Sequence, residues 1–310
     1  MSRESNVAAL SGGTGSSKLL RGLQGLTRFT VVTNVGDNHW FHGLYVCPDI
    51  DTVCYTLAGI VDARRGWGID GDRFDALDML TTLGSKDTWF KIGDRDMATH
   101  VYRTAMLKEG KTLTEVTSAV ARCLGLKRWV VLPATDEPVE TRIVTAERGE
   151  MHLQEFWVRE RGRLTPTAVR HSGARRAHPT PEVAATLAAA DRIILCPANP
   201  ITSISPILSL LGFRALLRKS KARKVVVSPM VGDAAFSGPA AKLLVAEGLR
   251  PTSEGVANLY RGIADVIIVD EADRDQEEAI AETGASCAFT STLMRTREDE
   301  VRMARFAMEA

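Results

Sequence analysis

Residues 7–20 read VAALSGGTGSSKLL, and this stretch decides the fold that the sequence predicts. A short apolar run ends in small residues and a helical pattern follows at once, which is the layout of a strand, a glycine-rich turn and a helix. Small residues let the backbone approach a ligand closely, and the free N–H groups at a helix start favour an anion. We therefore expect a phosphate-binding turn, with a plain tight turn as the alternative.

This turn fits neither common phosphate-binding motif. It lacks the third glycine of G-x-G-x-x-G, and Lys18 is not in the Walker A position. The hydroxyls of Thr14, Ser16 and Ser17 lie beside it, and Lys18 adds a positive charge. These groups favour a nucleotide diphosphate as the ligand.

The bulk properties of the chain exclude several classes of function. Its 310 residues carry a net charge of +1, so no general charge pattern for binding nucleic acid or an anionic membrane is present. No apolar run reaches the roughly 18 residues of a membrane span, and the first residues lack the layout of a signal peptide, so we expect a cytoplasmic protein. Five scattered cysteines without a C-x-x-C pair argue against disulfides and structural zinc.

Strand, loop and helix patterns recur at both ends of the chain. They predict one Rossmann-like α/β domain over residues 1–310, with a mostly parallel sheet and helices on both faces. Successive helical patterns predict a helical insert at about 65–125, and residues 141–158 predict a β-hairpin extension at about 140–160. Five residues are predicted to cap the helices that follow them: Asp51, Asp72, Asp94, Thr112 and Thr180.

Four polar loops follow predicted strands, where ligands of open parallel sheets bind. The loops are Ser11–Lys18, Asn34–Asp51, Pro197–Pro206 and Ser228–Gly238. The second loop carries Asp37, Asp49 and Asp51, and clustered carboxylates of this kind suit Mg²⁺. The alternatives are that Asp51 only caps a helix and that Asp49 is only a turn residue.

Residues 93–100, GDRDMATH, place opposite charges at a helix start. Asp94 and Arg95 can serve only as a cap and a local pair, or Arg95 and His100 can face a ligand. The nearby aromatic residues can fill the core or stack on a planar ring: Trp67, Trp89 and Phe90.

The loop at residues 197–206 offers an amide and hydroxyls that suit a base or ribose, with a capped turn as the alternative. No G-x-S-x-G or H-E-x-x-H motif indicates another catalytic site. A carboxylate–metal site beside a phosphate-binding turn indicates phosphoryl-type transfer.

Several stretches together resemble the 2-phospho-L-lactate transferase family of deazaflavin coenzyme F-420 biosynthesis. The resemblance runs in order along nearly the whole chain and is most specific at Asp49–Thr52 and Gly93–His100. The other matching stretches are residues 11–15, 18–20, 34–37, 42–48, 65–68, 89–90, 132–136, 199–204 and 228–229, while Ser16-Ser17 replaces a turn that often contains proline in the family.

The resemblance implies a reaction in which a guanosine-diphosphate-linked phospho-acid passes its phospho-acid to the ribityl hydroxyl of 7,8-didemethyl-8-hydroxy-5-deazariboflavin. A phosphodiester forms and GMP leaves. The resemblance also implies Mg²⁺ as cofactor and a homodimer, with small molecules rather than nucleic acid or membrane as partners. The acid of the donor stays open among phospholactate, phosphoenolpyruvate and phosphoglycerate.

The resemblance further implies a role for each part of the predicted site. The donor nucleotide would contact Gly12, Gly13, Thr14, Gly15, Ser16, Lys18, Asn199, Pro200, Ser203, Ser205 and Ser228. Mg²⁺ would be held by Asp37, Asp49 and Asp51. The deazaflavin would contact Asp51, Trp89, Asp94, Arg95 and His100. The catalytic residues would be Asp49, Asp51 and Arg95.

One departure from the family pattern affects the metal site, because Asn38 stands where the family commonly has a second aspartate. Two other interpretations remain. A non-catalytic nucleotide-sugar-binding regulatory protein of the same fold would need neither the carboxylate loop nor residues 93–100. An NAD-dependent oxidoreductase is disfavoured by the missing third glycine and by the absence of an acidic ribose-binding residue after the second strand.

Overall fold

A parallel β-sheet of seven strands forms the centre of the computed structural model, which describes residues 5–232, 234–235 and 239–310. The strands are β1 Val7–Ser11, β2 Phe29–Thr33, β3 His39–Phe41, β4 Leu44–Val46, β5 Val130–Pro133, β6 Glu140–Thr145, β7 Gly149–His152, β8 Pro166–Ser172, β9 Arg192–Leu195, β10 Arg223–Val227, β11 Met230–Val231, β12 Ala234–Ala235, β13 Val266–Val269 and β14 Ser286–Phe289.

Helices connect most of these strands. The α-helices are α1 Gly13–Gln24, α2 Pro48–Leu57, α3 Asp75–Thr82, α4 Asp94–Lys108, α5 Leu113–Cys123, α6 Pro181–Ala189, α7 Ser205–Leu208, α8 Phe213–Lys219, α9 Ala240–Ala246, α10 Ser253–Leu259, α11 Glu277–Ala281 and α12 Arg297–Glu309. Two π-helices, Glu155–Arg159 and Pro200–Ile204, and a 3-10 helix, Glu271–Gln276, complete the described elements.

The strand order of the main sheet is β14-β13-β10-β9-β1-β2-β5, and all neighbouring strands run parallel. The chain moves outward from β1 to β2 and β5, then returns to β9 on the other side of β1 and moves outward again. Ligands bind at such a reversal, outside the carboxyl ends of the two central strands. The predicted Rossmann-like α/β fold is confirmed, and the loops after β1 and β9 face the same crevice.

The central strands are nearly continuous apolar runs, as expected for a sheet whose strands are covered on both faces. Every residue of β1 and β13 is buried. Helix α1 packs against α2 and against the C-terminal helix α12. Among the described residues, no single helix is long and apolar enough to cross a membrane; one pair bent by 80°, Pro200–Leu208 with Phe213–Lys219, meets the criteria of length and composition only.

The helical insert and the hairpin lie close to their predicted positions. Helices α3, α4 and α5 follow one another before the chain enters β5. Strands β6 and β7 form the antiparallel hairpin, and β8 adds a third strand in the order β7-β6-β8. The predicted second arm, to Val158, is too long: the strand ends at His152, whose Nδ1 accepts the Gln154 N–H, and the π-helix that follows buries Phe156.

Two helices begin earlier than predicted. Helix α1 begins at Gly13, inside the predicted glycine-rich turn, and Gly13 has a φ of 61°, a conformation that favours glycine. Helix α2 begins at Pro48, which suits the first turn of a helix. The prediction that Asp51 caps this helix is therefore wrong, and its carboxylate has another partner.

The caps of α3 and α4 are exchanged between the two helices. Asp94 accepts the N–H groups of Asp75 and Ala76 and so caps α3, whereas Asp72 accepts those of Arg95 and Asp96 and so caps α4. The predictions that each aspartate caps the helix beginning beside it are wrong, because the two helix starts lie side by side. The predicted caps of α5 and α6, Thr112 and Thr180, are confirmed.

The packing of α1 on α12 depends on Gly22. A Cβ on Gly22 would lie 2.1 Å from the Glu300 carbonyl oxygen and 2.8 Å from Ala304 Cβ. We expect Gly22→Ala to lower the free energy of unfolding by about 1–3 kcal/mol through overpacking, even though alanine favours helix. Gly25→Ala is the matched control, because the nearest atom would lie 3.8 Å away. Urea denaturation measures both, and equal stability of the two variants would contradict this account.

Candidate active site

A cavity of about 610 Å³ lies beyond the carboxyl ends of β1, β2 and β9. The glycine turn forms one wall and the π-helix Pro200–Ile204 lies beside it. Carboxylates of the β2 loop and α2 form the floor. Aromatic side chains from the helical insert and from the segment after β7 complete the lining.

The glycine turn is in close contact with the rest of the site. A Cβ on Gly12 would lie 2.7 Å from both Asp49 Oδ2 and Ser203 Cβ, so only glycine fits there. Gly13, Thr14 and Gly15 also line the cavity at the N-terminus of α1. The turn, the carboxylates and the π-helix therefore meet at one point, where an anion would face the N-terminus of α1.

The predicted donor-binding residues divide into two groups. The cavity is lined by Gly12, Gly13, Thr14, Gly15, Asn199 and Ser203. Asn199 Oδ1 also accepts the N–H groups of Ile201 and Thr202 and so caps the π-helix. The lining does not include Ser16, Lys18, Pro200, Ser205 or Ser228.

Other partners explain why three of these side chains are not in the cavity lining. The Ser16 hydroxyl donates to the Gly12 carbonyl, Lys18 Nζ donates to the Met294 carbonyl, and the Ser228 hydroxyl bonds the Ser253 hydroxyl. Part of the fourth polar loop, Asp233 and residues 236–238, lies outside the described residues.

Asp37 and Asp49 form a buried carboxylate pair at the floor of the cavity. The Asn34 side-chain amide donates to Asp37 Oδ1 and to Asp49 Oδ2, both at 2.8 Å, and its Oδ1 accepts the Gly36 N–H. Burial, together with the charge of Asp49, raises the pKa of Asp37 well above its ordinary value. Burial likewise raises the pKa of Asp49 to about 6, against the hydrogen bonds of Asn34 and the Gly13 N–H.

This pair fits a Mg²⁺ ion that is completed by substrate and water. Mg²⁺ is commonly held by one or two carboxylates together with substrate phosphates. The described residues contain no group of three or more acidic, histidine or cysteine side chains placed to hold a metal. Asn38 Oδ1, next in the chain to Asp37, is buried and has no hydrogen-bond partner in the described structure. A two-carboxylate site with open positions is therefore what these residues can supply.

Asp51 is in a different electrostatic setting. Both of its oxygens are bound by Arg103, through an Nη1–Oδ2 hydrogen bond of 3.0 Å and a second contact from Nη2 to Oδ1. Arg103 is fully buried, and although burial opposes its charge, Asp51 holds the pKa of the guanidinium above its ordinary value. The Asp51 carboxylate lines the cavity and is already neutralised. It is therefore suited to accept a hydrogen bond rather than to add charge to a metal site.

A buried polar chain extends from this ion pair. His100 Nδ1 lies 3.2 Å from Arg103 Nη1, and its Nε2 lies 3.4 Å from Asp96 Oδ1. The Tyr55 hydroxyl donates to the same Asp96 oxygen at 2.8 Å. Burial raises the pKa of Asp96, but the hydrogen bond and charge of His100 outweigh it and hold the pKa below its ordinary value. Asp96 and His100 both line the cavity.

The aromatic wall is built around Phe41. Phe90 stacks on Phe41 with ring centroids 4.0 Å apart, and Trp89 packs edge-on at 5.4 Å. Trp89, Phe90 and Trp67 line the cavity, and Trp157 lies on the lining of the same cavity from the π-helix after β7. Apolar faces of this kind suit a planar ring.

Two predicted substrate contacts are absent from the cavity lining. Asp94 caps α3, and Arg95 Nη1 donates to the Asp70 carbonyl at 3.2 Å. The sequence predictions did not include Arg103, Tyr55 and Asp96. A signal for two of them exists, because Asp96, His100 and Arg103 are spaced i, i+4, i+7 and so share one face of α4.

The contribution of the Asp51–Arg103 pair to the free energy of unfolding can be tested by substitution. We expect Arg103→Met to lower the free energy of unfolding by about 3–5 kcal/mol, because it leaves a buried carboxylate without its partner. Adding Asp51→Asn to that variant removes the buried charge and recovers most of the loss. Urea denaturation measures each variant.

Arg73→Met is the control for this test, since it breaks an ion pair whose side chains are 76% and 61% exposed. We expect it to leave the stability nearly unchanged. A loss for Arg103→Met as small as that of the control, or no recovery on adding Asp51→Asn, would contradict the pairing.

Comparison with known proteins identifies the family to which the chain is similar. The family model described as 2-phospho-L-lactate transferase CofD matches residues 7–305. The chain is 40% identical to the 2-phospho-L-lactate transferase of Methanosarcina mazei, over 97% of this chain and 98% of the relative. It is 43% identical to the protein of the same name from Methanopyrus kandleri, over 96% and 95%.

A differently named relative and a solved structure also match. The chain is 37% identical to the phosphoenolpyruvate transferase of Streptomyces griseus, over 98% of this chain and 97% of the relative. A crystal structure of a UPF0052-family protein from Bacillus halodurans superposes with a TM-score of 0.72 at 17% identity, over 99% and 100% of the two chains. That structure supports the fold. The family match and the near-complete coverage of these relatives show that the chain belongs to the 2-phospho-L-lactate transferase family.

Proposed function

We propose that the protein transfers a phospho-acid from a guanosine-diphosphate-linked donor to the ribityl hydroxyl of 7,8-didemethyl-8-hydroxy-5-deazariboflavin in coenzyme F-420 biosynthesis. The membership of the chain in a transferase family supports the class of reaction. The observation that carries the proposal is the single cavity in which a phosphate-binding turn, a carboxylate pair and an aromatic wall meet. A non-catalytic nucleotide binder would need only the first of these.

The two substrates would occupy opposite walls of the cavity. The donor diphosphate lies at the N–H groups of the glycine turn, with its nucleoside toward Asn199 and Ser203. The tricyclic ring of the acceptor lies against Trp89 and Phe90, with its ribityl chain directed to Asp51. This arrangement brings the hydroxyl and the phosphorus together over the carboxylate pair.

Asp37 and Asp49 would hold Mg²⁺ in this proposal. The ion would neutralise the negative charge that builds on the donor diphosphate during transfer. Gly12 lets the turn approach Asp49 closely enough for the diphosphate and the carboxylates to share one site.

Asp51 would orient the acceptor. Its carboxylate is fixed by Arg103 and accepts the hydroxyl proton as the oxygen attacks phosphorus. The bond between that phosphorus and the bridging oxygen of GMP breaks, so the products are the phosphodiester and GMP. In a loose transition state such a base contributes mainly by orientation.

The proposal predicts a stoichiometric reaction. Purified protein with Mg²⁺, the deazaflavin precursor and a guanylylated phospho-acid should release one GMP for each phosphodiester, with both measured by mass spectrometry. Competition among donors that carry phospholactate, phosphoenolpyruvate and phosphoglycerate identifies the acid.

We expect Asp51→Asn to lower kcat by about 10² or more, because the oriented acceptor of the hydroxyl proton is lost.

Asp78→Asn is the control, because Asp78 is an exposed residue of α3 outside the cavity. It should leave kcat unchanged. Tight nucleotide binding without release of GMP from any donor would contradict the transfer reaction and favour a non-catalytic binder.

A further inference from the structure

Arg161 is an exposed residue of the cavity lining, and its side chain has no partner among the described residues. Three basic side chains belong to the described lining: Arg65, Lys91 and Arg161. Arg65 is occupied, because its Nε lies 2.8 Å from Asp62 Oδ2 and its Nη2 donates to the Ile69 carbonyl. Within the described residues, neither Lys91 nor Arg161 has a side-chain hydrogen bond or ion pair. Lys91 follows directly on the aromatic wall, whereas Arg161 lies elsewhere in the fold.

The backbone fixes Arg161 in an unusual conformation. Its φ is 55°, and among the described non-glycine residues only His42 shares a positive φ. Such a conformation is unfavourable for a side chain other than glycine and occurs often at functional sites. The next residue, Gly162, donates its N–H to the Phe156 carbonyl and lies against the Trp157 ring. The turn is thus held by packing, while the guanidinium has no partner in the part of the chain that the structure describes.

Contacts on both sides connect the segment that carries this turn to the donor wall and to the carboxylate pair, while Arg159 of the same segment lies 5.6 Å over the Trp89 ring of the aromatic wall. Lys242 Nζ of α9 donates to the Gly162 carbonyl at 3.1 Å, and α9 packs against the π-helix that carries Ser203. At the other end of the same segment, Gln154 Nε2 donates to Asp37 Oδ2 at 3.4 Å. The segment therefore links the carboxylate pair to the wall assigned to the donor.

We propose that the Arg161 guanidinium binds the carboxylate of the phospho-acid part of the donor. This inference rests on the proposed function, which supplies a donor with a diphosphate and a carboxylate. The diphosphate has the glycine turn and the candidate metal site as partners. The carboxylate is left to another cation of the lining, and within the described residues Lys91 and Arg161 are the unpaired ones.

The chemistry of guanidinium fits this role. A planar guanidinium binds a carboxylate through two parallel hydrogen bonds, which a lysine cannot reproduce. Phospholactate and phosphoenolpyruvate both carry the carboxylate on the carbon that bears the phosphate oxygen, so one arginine would serve either acid. Arg161 would thus select for acids of this class rather than between its members.

The test is a binding cycle in which both the arginine and the carboxylate are varied. Calorimetry without acceptor measures the Kd of guanosine-diphosphate-linked phospholactate, of its carboxamide analogue, and of GDP. We expect Arg161→Ala to weaken binding of the carboxylate donor about 10- to 100-fold. Binding of the carboxamide donor should change by less than about threefold, and GDP binding should not change. The affinity of Arg161→Lys for the carboxylate donor should lie between those of the wild type and Arg161→Ala.

Arg163→Ala is the matched control, since Arg163 is exposed two residues away and does not line the cavity. It should bind all three ligands like the wild type. Equal weakening of both donors, equal weakening of GDP, or no effect of Arg161→Ala would each overturn the carboxylate contact.

The same titrations separate this inference from the proposed function. If the wild-type protein binds neither donor, the donor assignment itself is wrong and the inference falls with it. If the wild type binds the carboxylate donor but transfers nothing to the deazaflavin, only the acceptor chemistry fails, and the binding cycle still decides the role of Arg161.

Discussion

The arrangement of the candidate site depends on two carboxylates that are buried side by side, Asp37 and Asp49. Burial raises the pKa values of both, the charge of Asp49 raises that of Asp37 further, and the described cavity lining contains no cation that is paired with them. The Asn34 amide, which donates to both, is their main support. Such a pair is unfavourable in a protein without ligand, and a bound cation would relieve it. A functional site accounts for an arrangement that folding alone would disfavour.

The residues around this pair are positioned by close contacts with it and by the topology of the sheet. Gly12 has to be glycine because any side chain would meet Asp49 and Ser203. The parallel sheet brings the turn after β1 and the π-helix after β9 together at the point where the strand order reverses. In the proposed reaction, the phosphates of a donor would lie between the N-terminus of α1 and the carboxylate pair, a combination that suits phosphoryl transfer.

Arg103 separates the roles of the three aspartates. By pairing with Asp51, it removes that charge from the floor of the cavity and fixes the carboxylate in place. In the proposed reaction, two aspartates would therefore hold the cation and one would face the acceptor hydroxyl. His100, Asp96 and Tyr55 continue this chain of polar contacts along the cavity lining, so the proposed acceptor side is supported by several buried contacts.

The sequence predicted the sheet, the helical insert and most of the loops at the cavity, because these follow from local patterns of apolar and small residues. It did not predict which partner each polar side chain finds. Asp72 and Asp94 both precede helices, and only the side-by-side packing of α3 and α4 decides that they exchange caps. Lys18 looks like a phosphate ligand by position, yet its ammonium reaches the Met294 carbonyl near the C-terminal helix. Tertiary contacts of this kind cannot be predicted from the spacing of residues along the chain.

Binding of Mn²⁺ in place of Mg²⁺ tests directly whether Asp37 and Asp49 hold a metal ion. Electron paramagnetic resonance measures this binding in the presence of saturating GDP. At pH 8 the Asp49 carboxyl is ionised, since its pKa is raised to about 6, and a bound cation favours the ionised form of Asp37, whose pKa burial also raises. The account predicts one bound Mn²⁺ per chain in the wild type and in Asp51→Asn, and an affinity about tenfold or more lower in Asp49→Asn, which loses a ligand charge. Unchanged binding in Asp49→Asn, or loss of binding in Asp51→Asn, would contradict it.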